Sequence, residues 1–275
     1  MTVPQPFLPS RGALNVLAAL LENRTGQQIA ANREWRIETA LKPLLRDLGI
    51  VSLDGLVGVL GRPEIADQVV DALLNQESSF FRDAAVLDMV ADAIGDIQAE
   101  GTNHRVRIWS AGCSIGQEPL SLAMLLTERC AASGATMPEI MATDVSEAAL
   151  VRARAGRYSQ FEIQRGLPVR RMMRWFDTVG NDWVARPELL RQVSFRQLNL
   201  VADRLPAGRF DIILCRNVLL YLSASLRRRV LDRLAEVARP GALLVLGAGE
   251  TVIGQSDAFR PSTRYRGLYE LAVAA

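Results

Sequence analysis

The residues best placed to do chemistry fall at the ends of apolar runs. Ala111-Gly112-Cys113-Ser114-Ile115-Gly116 follows a buried run, Arg107-Ile108-Trp109-Ser110-Ala111, and precedes a helical pattern that starts near Pro119. Glycines at such a turn let backbone approach a ligand, and the helix that follows offers unpaired N–H groups. The full Gly-x-Gly-x-x-Gly fingerprint is absent, so a simple tight turn explains this segment equally well. Asp144 closes a second apolar run, Ile140-Met141-Ala142-Thr143. An acid there is placed to accept from ribose hydroxyls, or to cap the next helix. It lies 34 positions after Ser110, against the ~20 usual between glycine turn and acid in a dinucleotide site. That disfavours a nicotinamide cofactor and leaves an adenosine ligand open. Glu118 stands in a helix first turn, where the dipole favours a carboxylate in any case. Arg216-Asn217 end a third apolar run, Phe210 to Leu214, with Tyr221 one turn on. Polar groups at a strand's carboxyl end face the crevice where α/β sheets bind ligands. Phe80-Phe81-Arg82, between the helical segment and the sheet segment, offers two aromatics that read as interdomain core and an arginine that could reach a carboxylate.

The elements that must position these residues are legible from period and punctuation. Residues 11 to about 92 read as helices, with Leu14, Leu17, Ala18 and Leu21 on one face and Ile37, Leu41, Leu44, Leu45 and Leu48 on another, stopped at Gly49. Ser52 is the predicted cap of the next helix, and Pro63 suits the first turn of the one after. Beyond Gly101, strands alternate with helices, which predicts a mostly parallel sheet covered on both faces. Ser146 caps a helix stopped by Gly156. A long helix runs from about Ser223 to Arg239, a strand follows at Ala242 to Gly247, and Tyr265 to Val273 is expected to add a final edge strand. From about Arg157 to Leu198 the alternation breaks. Aromatics (Tyr158, Phe161, Trp175, Phe176, Trp183), a Gly180-Asn181-Asp182 turn and a strand at Val193 to Leu198 predict an inserted hairpin. It is either a packing insertion or a strand edge that receives a partner.

Composition narrows the chemistry. The chain of 275 residues carries 32 Lys+Arg against 30 Asp+Glu, a net charge of +2, too small for a bulk nucleic-acid binder. Lys42 is the only lysine, so an anion site must use guanidinium forks. No run approaches the ~20 apolar residues of a membrane helix. Three scattered cysteines, Cys113, Cys130 and Cys215, form no Cys-x-x-Cys pair and fit a reducing cytosol. His104 is the only histidine and reads as a surface loop residue; a histidine triad, metal site or proton shuttle would have to rest on it, which disfavours most hydrolase and metalloenzyme readings.

Together these segments resemble the CheR-type chemotaxis receptor methyltransferases. The run Arg107 to Ser114, Glu118-Pro119 and Ser121-Leu122-Ala123-Met124 are similar to the family's cofactor turn. Ala142-Thr143-Asp144, Tyr158-Ser159, Arg165-Gly166-Leu167-Pro168, Phe195-Arg196, Leu198-Asn199-Leu200, Phe210-Asp211 and Cys215-Arg216-Asn217-Val218 match later blocks in order. Ser79-Phe80-Phe81-Arg82-Asp83 resembles the interdomain motif, and Thr25-Gly26 with Leu48-Gly49 the helical front domain. The likeness spans roughly 15 to 270.

The resemblance implies a Rossmann-like class I methyltransferase sheet (α/β) with an N-terminal helical domain and a small inserted antiparallel β-hairpin subdomain. The implied boundaries are 1–92 for the helical domain and linker and 93–275 for the S-adenosylmethionine-binding domain, with the insert at about 157–198. The implied activity is methyl transfer from S-adenosylmethionine to glutamate carboxylates of chemoreceptor cytoplasmic domains, giving S-adenosylhomocysteine and needing no metal. An S-adenosylmethionine- or S-adenosylhomocysteine-binding signalling module is the alternative. Carried over by motif, Arg82 and Glu118 meet the methionine end of the cofactor, with Gln76 and Ser78 nearby and Gly112 in the turn. Asp144 takes the ribose hydroxyls, Asn199 and Leu200 flank the adenine, and Arg216 and Asn217 border the transfer centre. Arg82, Tyr221 and Arg216 are expected as orienting groups and not as acid or base. The implied partners are helical domains of methyl-accepting receptors, with no nucleic acid and no membrane insertion. A cytoplasmic monomer is expected.

The chemistry suits a chain with one histidine. A glutamate carboxylate is ionised at pH 7 and is its own nucleophile. What remains is in-line placement, worth up to ~7–11 kcal/mol, and removal of water from the attacking oxygen. Several positions depart from the family pattern. Gln76 stands for Asn, Ser78 and Ile115 for Thr, Gln117 for Glu and Leu120 for Tyr, and Gly247-Ala248-Gly249-Glu250 for Gly-His-Ser-Glu. Each lost hydrogen bond weakens cofactor binding by ~1 kcal/mol, so binding is expected to survive. The hairpin at Gly180 lacks the Gly-x-Gly insert of relatives that dock on a receptor tether, which predicts a tether-independent enzyme or one with a different acceptor.

Overall fold

The computed structural model describes residues 10–101 and 104–272. The chain divides into two compact units, residues 1–75 with 221–223, and residues 76–220 with 224–275.

The first unit is helical: α1 (Arg11–Thr25), α2 (Trp35–Leu48), α3 (Leu53–Val57) and α4 (Pro63–Leu73). The predicted punctuation holds. Ser52 Oγ accepts from Gly55 N at 3.1 Å, and Pro63 opens α4. Gly26 and Gly49 end α1 and α2 in left-handed conformations. The apolar stripes meet in part: Leu14, Leu17, Leu21, Ile37, Leu41, Leu56, Val69 and Leu73 are buried, but Leu44 and Leu45 are half-buried and Leu48, at the end of α2, is exposed.

The second unit contains α5 (Ala84–Ala99), β1 (Arg107–Ala111), α6 (Gln117–Ser133), β2 (Glu139–Asp144), α7 (Glu147–Ala155), β3 (Arg157–Ser159), α8 (Gln160–Gln164), α9 (Val169–Trp175), β4 (Phe176–Val179), β5 (Asp182–Ala185), α10 (Pro187–Leu190), β6 (Val193–Gln197), β7 (Phe210–Cys215), α11 (Ala224–Glu236), β8 (Ala238–Leu246), β9 (Phe259–Pro261) and β10 (Tyr269–Leu271). The large sheet has the order β6-β2-β1-β7-β8-β10-β9. Its first five strands run parallel; β10 is antiparallel to β8, and β9 is antiparallel to β10 in turn. The strand order reverses at β1, which lies between β2 and β7. A ligand crevice is therefore expected outside the carboxyl ends of β1 and β7.

Four expectations need correction. The structural division falls after Asn75 and not at residue 92. The reason is that Phe80, Leu87, Val90 and Ile94 bury their side chains in the core of the sheet unit. The strand at Val193–Gln197 belongs to the edge of the large sheet, paired with β2, and not to the insert. The insert keeps a three-stranded sheet of its own, β3-β5-β4, in which Gly180-Asn181 turns β4 into β5. The long helix stops at Glu236, and β8 begins at Ala238 and carries Pro240 and Gly241. The C-terminal strand is shorter than predicted and lies inside the sheet, with β9 at the edge. The predicted segment ran to Val273, which lies outside the described residues.

Aromatic packing fixes the insert to the sheet unit. Phe80, Tyr158 and Phe176 stack edge to face with ring centroids 4.9 to 6.1 Å apart. Tyr158 Oη donates to Ile115 O at 2.8 Å, which ties the insert to the glycine turn. His104 is half-buried, and its Nε2 lies 2.8 Å from Asp211 Oδ1. It serves to tether the start of β1 to β7.

Candidate active site

The glycine turn after β1 is held from the side of β2. Gly112 N and Cys113 N both donate to Thr143 O, at 2.8 and 2.9 Å. Gly112 has a φ of 85°, and a Cβ there would lie 2.4 Å from Val218 Cγ2. Gly116 has a φ of 86°, and its Cβ would lie 2.9 Å from that of Ala153. Both positions therefore require glycine for two independent reasons, close approach and a left-handed backbone.

Three acid-centred clusters surround this turn. In the first, Glu118 accepts from Ser110 Oγ at 2.8 Å and from Arg216 Nη1 at 3.0 Å. Arg216 also binds the Asp83 carboxylate and donates to Arg82 O. Its side chain is only 2% exposed, so two carboxylates enclose one buried guanidinium. In the second, Asp144 accepts from Ser114 N at 2.7 Å and from Ser146 N at 3.0 Å. Ser146 Oγ in turn caps α7 and accepts from Gln76 Nε2 at 3.0 Å. The capping alternative for Asp144 is thus answered: Ser146 is the cap, and Asp144 clasps the turn. In the third, Glu250 accepts from Asn217 N and Gly247 N at 2.8 Å each and from Leu220 N at 3.2 Å.

Among the described residues, the non-glycine positions with positive φ are Phe81, Asp83, Ser114 and Asn217. Asp83, Ser114 and Asn217 each sit in one of the three clusters, and Phe81 precedes Arg82. Such conformations cost about 1–3 kcal/mol each and persist where the surroundings over-determine them.

Other predicted residues fall as follows. Gln76 and Ser78 line one cleft of about 320 Å³ with Ile115 and Gln117. Gln117 is buried, and its Oε1 has no hydrogen-bond partner among the described residues. Asn199 and Leu200 lie just beyond β6, whose Gln197 is in register with Asp144. Asn199 organises its own loop, accepting from Val201 N and bonding to Asp203. The Arg82 side chain is half-buried and has no hydrogen bond or ion pair among the described residues. Tyr221 is the exception. It belongs to the first unit, where Asn75 Nδ2 donates to its hydroxyl and Gln28 N donates to its carbonyl at 2.8 Å.

Two residues were missed as site members. Asp83 shares Arg216 with Glu118, and Glu250 shapes the backbone after β7. The sequence signal was there in part: Glu250 follows Gly247-Ala248-Gly249 at a strand end, the type of position that put Asp144 forward.

The electrostatics narrow the chemistry further. Glu118, Asp83, Asp144 and Glu250 set four carboxylates against the guanidiniums of Arg82 and Arg216, an environment that favours a cation. Burial, then Asp144 and Glu118, push the Cys113 thiol well above its ordinary value. Burial, then Glu250 and Glu118, do the same for Cys215. Both thiols stay protonated, which removes them as nucleophiles.

Residues 76–267 match the family model described as CheR methyltransferase, SAM binding domain. The chain belongs to the CheR methyltransferase family. It is 36% identical over 248 residues to Chemotaxis protein methyltransferase 1 of Pseudomonas aeruginosa, covering 87% of this chain and 90% of that one. Chemotaxis protein methyltransferase Cher2 of Pseudomonas putida is 34% identical with the same coverage. The Vibrio parahaemolyticus chemotaxis protein methyltransferase is 35% identical over 246 residues, 87% of this chain and 89% of that one. This CheR-family chain is an S-adenosylmethionine-dependent methyltransferase of chemotaxis. Among the described residues no helix is long and apolar enough to cross a membrane, and no group of three metal-ligating side chains occurs.

The residues present fit that cofactor. Its amino and sulfonium groups are cationic, and the Glu118–Arg216–Asp83 cluster carries one more negative than positive charge. Gln117 Oε1 is a buried acceptor in want of a donor.

Proposed function

We propose that this protein transfers methyl groups to glutamate side chains of chemoreceptor cytoplasmic domains and works in the cytoplasm. The carrying observation is the set of carboxylate-centred clusters around the turn after β1, which favour a cation, with the one histidine, His104, bound to Asp211 at the opposite, N-terminal end of β1 and β7. The Cys113 and Cys215 thiols are buried, and burial with the nearby carboxylates pushes both well above their ordinary value, which disfavours the thiolate. An acceptor that brings its own charge, a carboxylate, needs no base.

In this reading Glu118 and Arg82 hold the amino-acid end of the cofactor, through a carboxylate and a free guanidinium. Asp144 holds the ribose. Asn199 and Leu200 flank the adenine, and Gln76 and Ser78 close the cleft beside Gln117. S-adenosylmethionine supplies, when bound, a methyl group on a positively charged sulfur that an oxygen nucleophile can take. Arg216 borders the transfer centre: its two Nη groups are held by Glu118, Asp83 and Arg82 O, while its buried Nε has no partner among the described residues. Arg82, exposed enough to move, orients.

The Gly180-Asn181 turn is short and joins β4 directly to β5. This supports an acceptor recognised without a receptor tether.

The test is incubation of the full chain with methyl-labelled S-adenosylmethionine and a chemoreceptor cytoplasmic domain. Alkali-labile label on the receptor is expected. Micromolar cofactor binding with no transfer across a panel of receptor domains would favour the signalling-module alternative.

A further inference from the structure

Helix α9 of the insert has a surface that the methyl-transfer site does not use. Its sequence, Val169-Arg170-Arg171-Met172-Met173-Arg174-Trp175, places Arg170 and Arg174 four residues apart in one row and Val169 and Met173 in the adjacent row. Val169 and Met173 are 67% and 62% exposed. Arg170 and Arg174 are exposed as well.

The middle arginine is locked in place. Arg171 Nε and Nη2 bind Glu128 of α6 at 3.0 and 2.8 Å, and its guanidinium lies 4.5 Å over the Phe81 ring. Trp175 Nε1 donates to the same carboxylate at 3.4 Å. Glu128 is therefore used up. Arg174 lies 5.0 Å over the Trp175 ring, and neither it nor Arg170 has a carboxylate partner among the described residues. Together Glu128, Pro168, Arg170, Arg171 and Arg174 line a cleft of about 570 Å³ with three positive charges and one negative.

Exposed arginines beside an exposed methionine and valine are the composition of a protein interface. The stacked Arg174 and the locked Arg171 lose little freedom on binding, which is preorganisation for carboxylates. Glu118 at the methyl-transfer site and Glu128 at this cleft lie ten residues apart on α6, about 15 Å along the axis. A single small anion does not reach both.

We propose that α9 is a docking surface for an acidic helical face of the methyl acceptor, apart from the transfer site itself. The proposal rests on the reading that the acceptor is a glutamate-bearing helical receptor domain. Arg170 and Arg174 pair with acids one helical turn apart, and Val169 and Met173 take the apolar row beside them.

The experiment compares the full-length chain with Arg170→Glu/Arg174→Glu and with the milder Arg170→Gln/Arg174→Gln. Three quantities are measured: the Kd for a chemoreceptor cytoplasmic domain, methyl-transfer kinetics, and S-adenosylhomocysteine affinity by calorimetry. Charge reversal is expected to raise Kd and KM for the receptor domain at least about ten-fold, with kcat and S-adenosylhomocysteine affinity unchanged. The glutamine pair, which keeps the helix formers, is expected to weaken binding less and to flatten its salt dependence. Should the reversed variant fail to fold, the glutamine pair and Val169→Ser/Met173→Ser carry the same comparison. Wild-type values in variants that retain S-adenosylhomocysteine binding overturn the docking proposal alone. Failure of the wild-type chain to bind or methylate any receptor domain overturns the acceptor reading, and this proposal with it.

Discussion

Replacing Glu118 by glutamine separates the two tasks assigned to this carboxylate. In the structure it accepts one bond from Ser110 Oγ and one from Arg216 Nη1, and its side chain is 16% exposed. Glutamine is isosteric and keeps one acceptor oxygen. Arg216 retains Asp83 and Arg82 O. The fold therefore loses one charge-assisted hydrogen bond, about 1.5–3 kcal/mol at most, and melts a few degrees lower at ~2–4 °C per kcal/mol. The cofactor loses more, because the cluster of Glu118, Arg216 and Asp83 changes from a net charge of −1 to zero. A charged hydrogen bond to the ligand amine is worth the same ~1.5–3 kcal/mol, which converts to a Kd about 10 to 150 times weaker. Calorimetry with S-adenosylmethionine gives the Kd, and a thermal melt of the ligand-free protein gives the fold term. An unchanged Kd with a melting point many degrees lower would refute the reasoning. It would make Glu118 a structural tether for Arg216 and nothing more.

Three further outcomes follow from the same geometry. Asp144→Ala frees Ser114 N and Ser146 N and removes the ribose acceptor, so calorimetry is expected to show cofactor affinity at least ten-fold weaker; an unchanged Kd rules out the ribose assignment. Arg82→Ala removes a half-buried guanidinium that carries no hydrogen bond among the described residues, so kcat falls well over ten-fold while the melting point moves little. Equal losses would return Arg82 to a structural role. Glu162 lies at the capping box of α8, where burial would raise its pKa, but hydrogen bonds from Arg152 and from Ser159 hold it below the ordinary value of 4.5. Its folded-state pKa is depressed, so its contribution to stability is present above about pH 4.5 and lost as pH falls through the folded value. Glu162→Gln is expected to flatten the acid limb of a melting-temperature profile between about pH 5 and 3, and an unaltered limb would contradict that assignment.

The front helices were readable because their punctuation is local. Ser52, Pro63, Gly26 and Gly49 act on the chain within four residues of themselves, and the apolar stripes they bound are regular. The parallel strands were readable as unbroken apolar runs. The Val193–Gln197 strand was misplaced because pairing partners are not written in a strand's own residues. Its half-exposed, alternating pattern suits the edge of either sheet. The domain boundary moved for a similar reason: α5 is helical like its predecessors, but Leu87, Val90 and Ile94 find their contacts with the sheet unit. Within the site, Glu118, Asp144 and Arg216 could be picked out because each stands at a strand end or a helix start. Asp83 and Glu250 act through long-range bonds, Asp83 to a guanidinium 133 residues away and Glu250 to a backbone N–H 33 residues away. Spacing gives no hint of Asp83, and for Glu250 only its place after a strand end pointed to a role.

The most direct measurement is tandem mass spectrometry of a chemoreceptor cytoplasmic domain after incubation with this protein and S-adenosylmethionine. The predicted result is one added methyl on identified glutamate residues of the receptor helices, removed by mild alkali and abolished by replacing those glutamates with alanine. Methyl groups on lysine, arginine or cysteine, stable to alkali, would contradict the account.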